Sequence, residues 1–158
     1  MPIQTNKIIV IGAGPAGLMA ADTIASAGFQ VDVFDAMPSA GRKFLLAGKG
    51  GMNLTHAENK DLFLSRYRQH RTNLTPLLEE FDADAARAWA NDLGIDTFVG
   101  SSGRVFPVDM KAAPLLRAWL HRLRSNGVRF HMRHRWLGWQ DQQWHFARSA
   151  MPSDAQAD

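Results

Sequence analysis

Gly12-Ala13-Gly14-Pro15-Ala16-Gly17 constrains this chain most, because it stands between a short apolar run and a helical pattern. Lys7 to Ile11, bounded by polar residues and a glycine, reads as a buried parallel strand. Beyond the glycines, Leu18, Ala21, Ile24 and Ala25 recur at helical spacing, Pro15 falls where a first-turn proline is tolerated, and Gly28 is a helix stop. Val31 to Asp35 is the next strand. Strand, glycine turn, helix and strand within about 30 residues make a βαβ unit with a right-handed crossover.

A bare Gly-x-Gly-x-x-Gly is weak evidence, but a strand before it, a helix after it and an acidic residue ending the second strand supply the context a dinucleotide site needs. Gly12 permits the tight turn, Gly14 lets a backbone approach a pyrophosphate, and Gly17 lets helix and strand pack closely. The helix start at Pro15, Ala16 and Gly17 offers a positive dipole end to the phosphates. Asp35, 23 residues after Gly12, is placed to accept hydrogen bonds from the adenosine ribose. Its rival, Asp32, lies in mid-strand between Val31 and Val33. An acidic group here repels a 2′-phosphate, which argues against NADP and leaves FAD or NAD. The bland alternative is a glycine-rich turn with no ligand.

With 158 residues, 46% of them apolar, and a mean hydropathy of −0.23, the chain suits one compact domain. It has no cysteine, which excludes disulfides, thiolate metal sites and a cysteine nucleophile, so redox work needs a borrowed cofactor. Six histidines form no His-x-x-x-His pair with a nearby Glu, so no metal site is expected. No apolar run reaches the roughly 20 residues of a membrane helix, and the first residues lack the layout of a secretory signal. These features imply a cytosolic protein, and the two Asn-x-Thr sequons at Asn53 and Asn73 are read as chance.

The net charge of +3 is unevenly spread: residues 111 to 140 carry 7 Lys/Arg and no Asp/Glu. Nucleic acid is the obvious partner for such a stretch. Against it, Arg117, Arg122 and Arg124 fall on the solvated side of a predicted helix whose apolar stripe is Leu115, Leu116, Trp119, Leu120 and Leu123. A nucleic-acid partner is therefore not expected.

Residues 38 to 56 show little periodicity and are too long for an idle connection, which predicts a functional loop. Helical patterns follow at Leu62 to Gln69, Leu74 to Phe81, Asp84 to Leu93 and Lys111 to Ser125. Ile95 to Val99, a piece around Phe106 and Val128 to Met132 read as strands, and Trp136 to Trp139 with Trp144 to Ala147 as a hairpin. Residues 1 to 148 form the domain, and 149 to 158 read as a polar disordered tail.

The segment Gly41-Arg42-Lys43, continuing through Gly48-Lys49-Gly50-Gly51-Met52-Asn53, resembles the bacterial BaiN-type and YhiN-like flavoproteins of the aminoacetone oxidase family. Gly103-Arg104-Val105-Phe106-Pro107, before a helix, is similar to a second signature of that family. The commoner family form has Arg and Cys before the asparagine where this chain has Gly51 and Met52, which marks a distinct subfamily.

The resemblance implies FAD as cofactor, NAD(P)H as a candidate electron donor, and an α/β fold: a Rossmann-like parallel sheet with an antiparallel meander, interrupted by a substrate domain. It also implies that the nucleotide domain is completed by segments absent here, so that the chain reads as a truncated N-terminal part. Arg42 and Lys43 can neutralise pyrophosphate charge, with a solvated surface pair as the alternative. The backbone of Gly48, Lys49, Gly50 and Gly51 can lie against a planar ring, and Asn53 supplies donors and acceptors. Trp136 is expected to contribute backbone groups on the adenine side. For Arg104 a structural salt bridge competes with a substrate contact, and His56 reads as a surface residue.

Two functions follow: the FAD-binding part of a flavin-dependent oxidoreductase acting on an unidentified small molecule, or a dinucleotide-binding module without turnover. No catalytic side chain is nominated. Weak FAD binding and homo-oligomerisation through exposed Trp136, Trp139 and Trp144 are expected of the chain alone.

Overall fold

The computed structural model describes residues 7–48 and 50–149. In chain order the elements are β1 (Lys7–Ile11), α1 (Pro15–Ser26), β2 (Gln30–Asp35), α2 (Arg42–Ala47), β3 (Thr55–His56), α3 (Lys60–Ser65), α4 (Arg71–Glu80) and α5 (Ala83–Asp92). There follow β4 (Thr97–Val99), β5 (Arg104–Pro107), α6 (Ala112–Ser125), β6 (Arg129–Met132), β7 (His134–Gln140) and β8 (Gln143–Arg148). The chain divides into two compact units, one of residues 1–44 with 120–158 and one of residues 45–119.

The first unit contains a parallel sheet in the order β1-β2-β6. Ile9 stands opposite Asp32, and Asp35 opposite Met132. Val31 and Val33 are buried on one face of β2, where α1 contributes Leu18 and Ala21 to the core. The expected hairpin is present as β7 and β8, and Phe146 stacks on Phe34 of β2 with ring centroids 4.3 Å apart. A two-stranded ribbon is marginal by itself, so this stack supplies part of its anchorage.

Asp22 is buried on α1 and paired with Arg122 of α6. That corrects the reading of Arg122 as a solvated residue: the helical pattern could not show a partner 100 positions away. Arg124 lies 5.3 Å over the Phe130 ring, and Arg129 pairs with Asp32. Part of the basic stretch is thus used inside the fold.

The second unit holds an antiparallel sheet in the order β3-β5-β4, with Val105 of β5 fully buried. Leu115, Leu116 and Trp119 are buried, and Trp89 of α5 meets Trp119 edge-on at 4.7 Å. Residues 38 to 56, expected as a continuous loop, contain α2 and β3. Six residues are too few for a helical period to declare itself, so α2 escaped the pattern. The helix expected from Leu62 to Gln69 stops at Ser65, and a 3-10 turn follows at Arg68–His70. Among the described residues, no helix is long and apolar enough to cross a membrane.

Candidate functional site

The turn between β1 and α1 shows what each of its glycines does. Gly12 has φ of +100°, a left-handed conformation that side chains disfavour, and its N–H donates to the Phe34 carbonyl at 2.7 Å. A Cβ on Gly17 would stand 1.8 Å from the Gly12 carbonyl oxygen, so helix and turn touch there. Gly14 is different. It caps α1 in extended backbone, and a Cβ built on it meets none of the described atoms within 4 Å. The fold does not require a glycine at that position, whereas a ligand lying against the backbone would.

Next to this turn is a cavity of about 570 Å³, lined by Ile11 to Gly17, Asp35, Met37, Ser39, Arg42 and Lys43. Gly12, Gly14, Pro15, Ala16, Gly17, Asp35, Arg42 and Lys43, nominated from sequence, therefore share one cavity in the first unit. Arg42 and Lys43 are exposed, begin α2, and bring two cations to its wall. Asp35 closes it at the end of β2, its Oδ2 accepting the Ala13 N–H at 2.6 Å and its Oδ1 the Met37 N–H at 2.7 Å. Each carboxylate oxygen keeps a second lone pair for a hydroxyl. A glycine backbone, a helix start, two cations and an acid able to accept from a ribose fit a dinucleotide.

Asp32 has a different environment. It is fully buried, with Lys7 Nζ 2.5 Å, Arg129 Nε 2.7 Å and His131 Nε2 3.3 Å from its oxygens. Burial pushes its pKa up, but Lys7 and Arg129, bonded to its oxygens, together with the nearby His131 ring outweigh burial and lower it to about 2. Asp32 is a buried ion-pair centre and does not line the cavity.

The remaining nominated residues that the structure describes are not among those lining the cavity. Gly48, Gly50 and Asn53 belong to the second unit. A Cβ on Gly48 would come within 2.5 Å of the Ala112 Cβ, so packing already explains that glycine. Gly50 has open space around the position of a Cβ, as Gly14 does. Asn53 is exposed on a segment held by Met52 N–H to the Met110 carbonyl at 3.0 Å and Leu54 N–H to the Val105 carbonyl at 2.9 Å. Lys49 lies outside the described residues, as do residues 150–158 of the expected tail. Trp136 is on β7, is 41% exposed and is not among the residues lining the cavity.

His56 is more embedded than a surface residue. Its Nδ1 accepts the Glu58 N–H at 3.2 Å and its Nε2 lies 3.0 Å from the Ser102 carbonyl, which selects the Nε2–H tautomer. Gly103 packs directly on the ring. Arg104 forms no ion pair among the described residues, so the structural salt bridge entertained for it is not seen there. Sequence reasoning quoted Gly41 within the Gly41-Arg42-Lys43 match but gave it no role, and its φ of +71° and N–H bond to the Ala13 carbonyl at 2.8 Å join α2 to the glycine turn. Its place immediately before the Arg42-Lys43 pair was the available signal.

The family described as HI0933-like protein Rossmann domain matches residues 6–157. Among curated proteins, the ribosomal RNA dihydrouridine synthase of Haemophilus influenzae is 46% identical over 55 residues, covering 35% of this chain and 14% of that protein. The open conformation of a flavocytochrome c3 fumarate reductase aligns with a TM-score of 0.64 at 21% identity, over 86% of this chain and 28% of that one. A 3-ketosteroid-delta4-(5alpha)-dehydrogenase from Rhodococcus jostii RHA1 aligns with a TM-score of 0.54 at 15% identity, over 81% of this chain and 38% of that one. These two likenesses establish the fold, and the chain spans well under half of each of the three relatives. With its matched family, parallel sheet and glycine turn, the chain belongs to the HI0933-like family and is its Rossmann domain.

Proposed function

We propose that this chain binds the ADP half of FAD in the cavity beside the β1–α1 turn and serves as the cofactor-binding part of a flavin-dependent oxidoreductase. The observation that carries this reading is Gly14, a helix-capping glycine with open space where a side chain would stand. In this assignment the backbone of Gly12 to Gly17 and the start of α1 face the pyrophosphate, and Arg42 and Lys43 neutralise it. Asp35 accepts from the ribose and disfavours a 2′-phosphate.

When bound, FAD supplies the hydride and electron chemistry, with NAD(P)H as the proposed donor. The chain's own contribution at this cavity is to bind and orient. Among the lining residues, only Asp35 is a carboxylate and none is a histidine or tyrosine, so no proton-transfer step is assigned to the cavity. That lining also favours the second reading, a dinucleotide-binding module without turnover of its own.

The finer placement among BaiN-type and YhiN-like aminoacetone oxidase relatives is supported by Gly41 to Lys43, Gly48 to Asn53 and Gly103 to Pro107. In this placement Gly48, Lys49, Gly50 and Asn53 serve the flavin side, and Trp136 contributes backbone on the adenine side. A cytosolic location and self-association through the exposed tryptophans of β7 and β8 belong to the same reading. Calorimetric titration of FAD into the parent and Gly14→Val chains tests the cofactor assignment: binding by the parent and none by the variant supports it, and equal binding overturns it.

A further inference from the structure

We propose that Gly41 is a positioning residue of the dinucleotide site, setting where Arg42 and Lys43 stand by locking the start of α2 to the glycine turn. This inference rests on the cofactor reading of the cavity.

Ala13 is the node of the arrangement. It is 1% exposed, its N–H donates to Asp35 Oδ2 at 2.6 Å, and its carbonyl accepts the Gly41 N–H at 2.8 Å. One buried residue in the middle of the turn is thus held from both sides. The acid expected to meet the ribose holds one side, and the residue before the two cations holds the other.

The segment between them is also pinned, because the Met37 N–H donates to Asp35 Oδ1 at 2.7 Å and the Arg133 N–H to the Met37 carbonyl at 3.0 Å. Only Pro38, Ser39 and Ala40 separate that anchor from Gly41. The last bond before α2 therefore decides the direction in which the helix leaves.

Gly41 is buried and has φ of +71°. In this left-handed conformation its N–H donates to the Ala13 carbonyl while the next residue, Arg42, starts α2 at the cavity. A side chain pushes the backbone toward negative φ, most strongly when β-branched, and asparagine tolerates the left-handed region better than alanine does. Conformation and bulk therefore predict different orders. If φ matters, function falls in the order Gly, Asn, Ala, Val; if space matters, alanine outperforms asparagine.

The test uses the full chain as parent, Gly41→Asn, Gly41→Ala and Gly41→Val. FAD and ADP affinities are measured by calorimetry at low and moderate salt, and amide hydrogen exchange of Gly41 or its replacement is followed without ligand. We expect Gly41→Asn to bind within about threefold of the parent and Gly41→Val to lose at least tenfold. The salt dependence of binding should flatten in Gly41→Val, because Arg42 and Lys43 no longer face the phosphates. Amide protection should follow the same order, including in any variant whose affinity is too weak to measure.

Equal affinities across the series, or Gly41→Ala binding better than Gly41→Asn, overturns the proposal. If the parent binds neither FAD nor ADP while protection still follows the predicted order, the cofactor reading fails and the role of Gly41 in locking the turn stands. Should Gly41→Val not fold, the ranking of Gly41→Asn against Gly41→Ala decides.

Discussion

The glycine-rich segments at residues 12–17 and 48–51 look alike in sequence, yet their units use them differently. In the first, Gly12 is needed for its left-handed turn and Gly17 for contact with the Gly12 carbonyl, while a Cβ on Gly14 would meet nothing among the described residues. In the second, Gly48 lies against Ala112, and Gly51, with φ of +112°, lies against the Met110 side chain. Of the three, only Gly50 is placed so that a Cβ would meet nothing among the described residues. A glycine explained by packing is evidence about stability, and one left unexplained points to a ligand. Each segment therefore holds two structural glycines and one open position, but the first uses its pair for a backbone turn and the second for packing on side chains, and substitution can separate the kinds.

The largest effect is expected at Gly17, where Gly17→Ala drives a methyl into backbone and should cost roughly 3 kcal/mol or more of stability. Thermal or urea unfolding checks it, and a melting temperature equal to the parent's would mean that the helix shifts freely. Next is Gly14→Val, which should abolish FAD binding while changing stability by less than about 1 kcal/mol. Calorimetry and unfolding on the same sample distinguish these outcomes.

The two carboxylates of β2 sharpen the same contrast. Asp35→Ala should weaken FAD binding by about 1.5–3 kcal/mol, the range for a hydrogen bond to a charged group, and Asp32→Asn should leave affinity unchanged while lowering stability. The reverse pattern in a paired titration would exchange their roles. Asp32 also predicts a pH effect. Its pKa is lowered from 3.8 to about 2 in the folded chain, against the opposing push of burial, so its stabilisation is present above pH 3.8 and disappears as pH falls through about 2. With Lys7 47% and Arg129 51% exposed, solvent screening limits this to on the order of 1–2 kcal/mol. Over that window the parent should lose more stability than Asp32→Asn, as read by unfolding at a series of pH values.

The smallest effect is expected at Gly50: Gly50→Ala should leave the melting temperature unchanged and lower FAD affinity by only about threefold, less than 1 kcal/mol. Destabilisation at Gly50 would place it with Gly48 as a packing residue.

Much of the first unit was legible because its signals are local. The βαβ start, the helix stop at Gly28, the distinct positions of Asp32 and Asp35 and the β7–β8 hairpin all follow from residues a few positions apart. What stayed hidden depends on distance along the chain. Arg129 reaches Asp32 across 97 positions, and Arg122 reaches Asp22 across 100, so sequence spacing offers no way to pair them. Likewise, α2 has six residues and no period, and the role of Gly41 exists only once the turn has folded beneath it.

The central claim, that the β1–α1 turn receives the adenosine end of FAD, is tested most directly by calorimetric titration of FAD into the full chain with ADP and FMN as separate competitors. The account predicts that ADP displaces FAD and FMN does not, because the ribose and pyrophosphate residues share the cavity of the first unit. Displacement by FMN with no effect of ADP, or no binding of FAD to a folded chain, would contradict it.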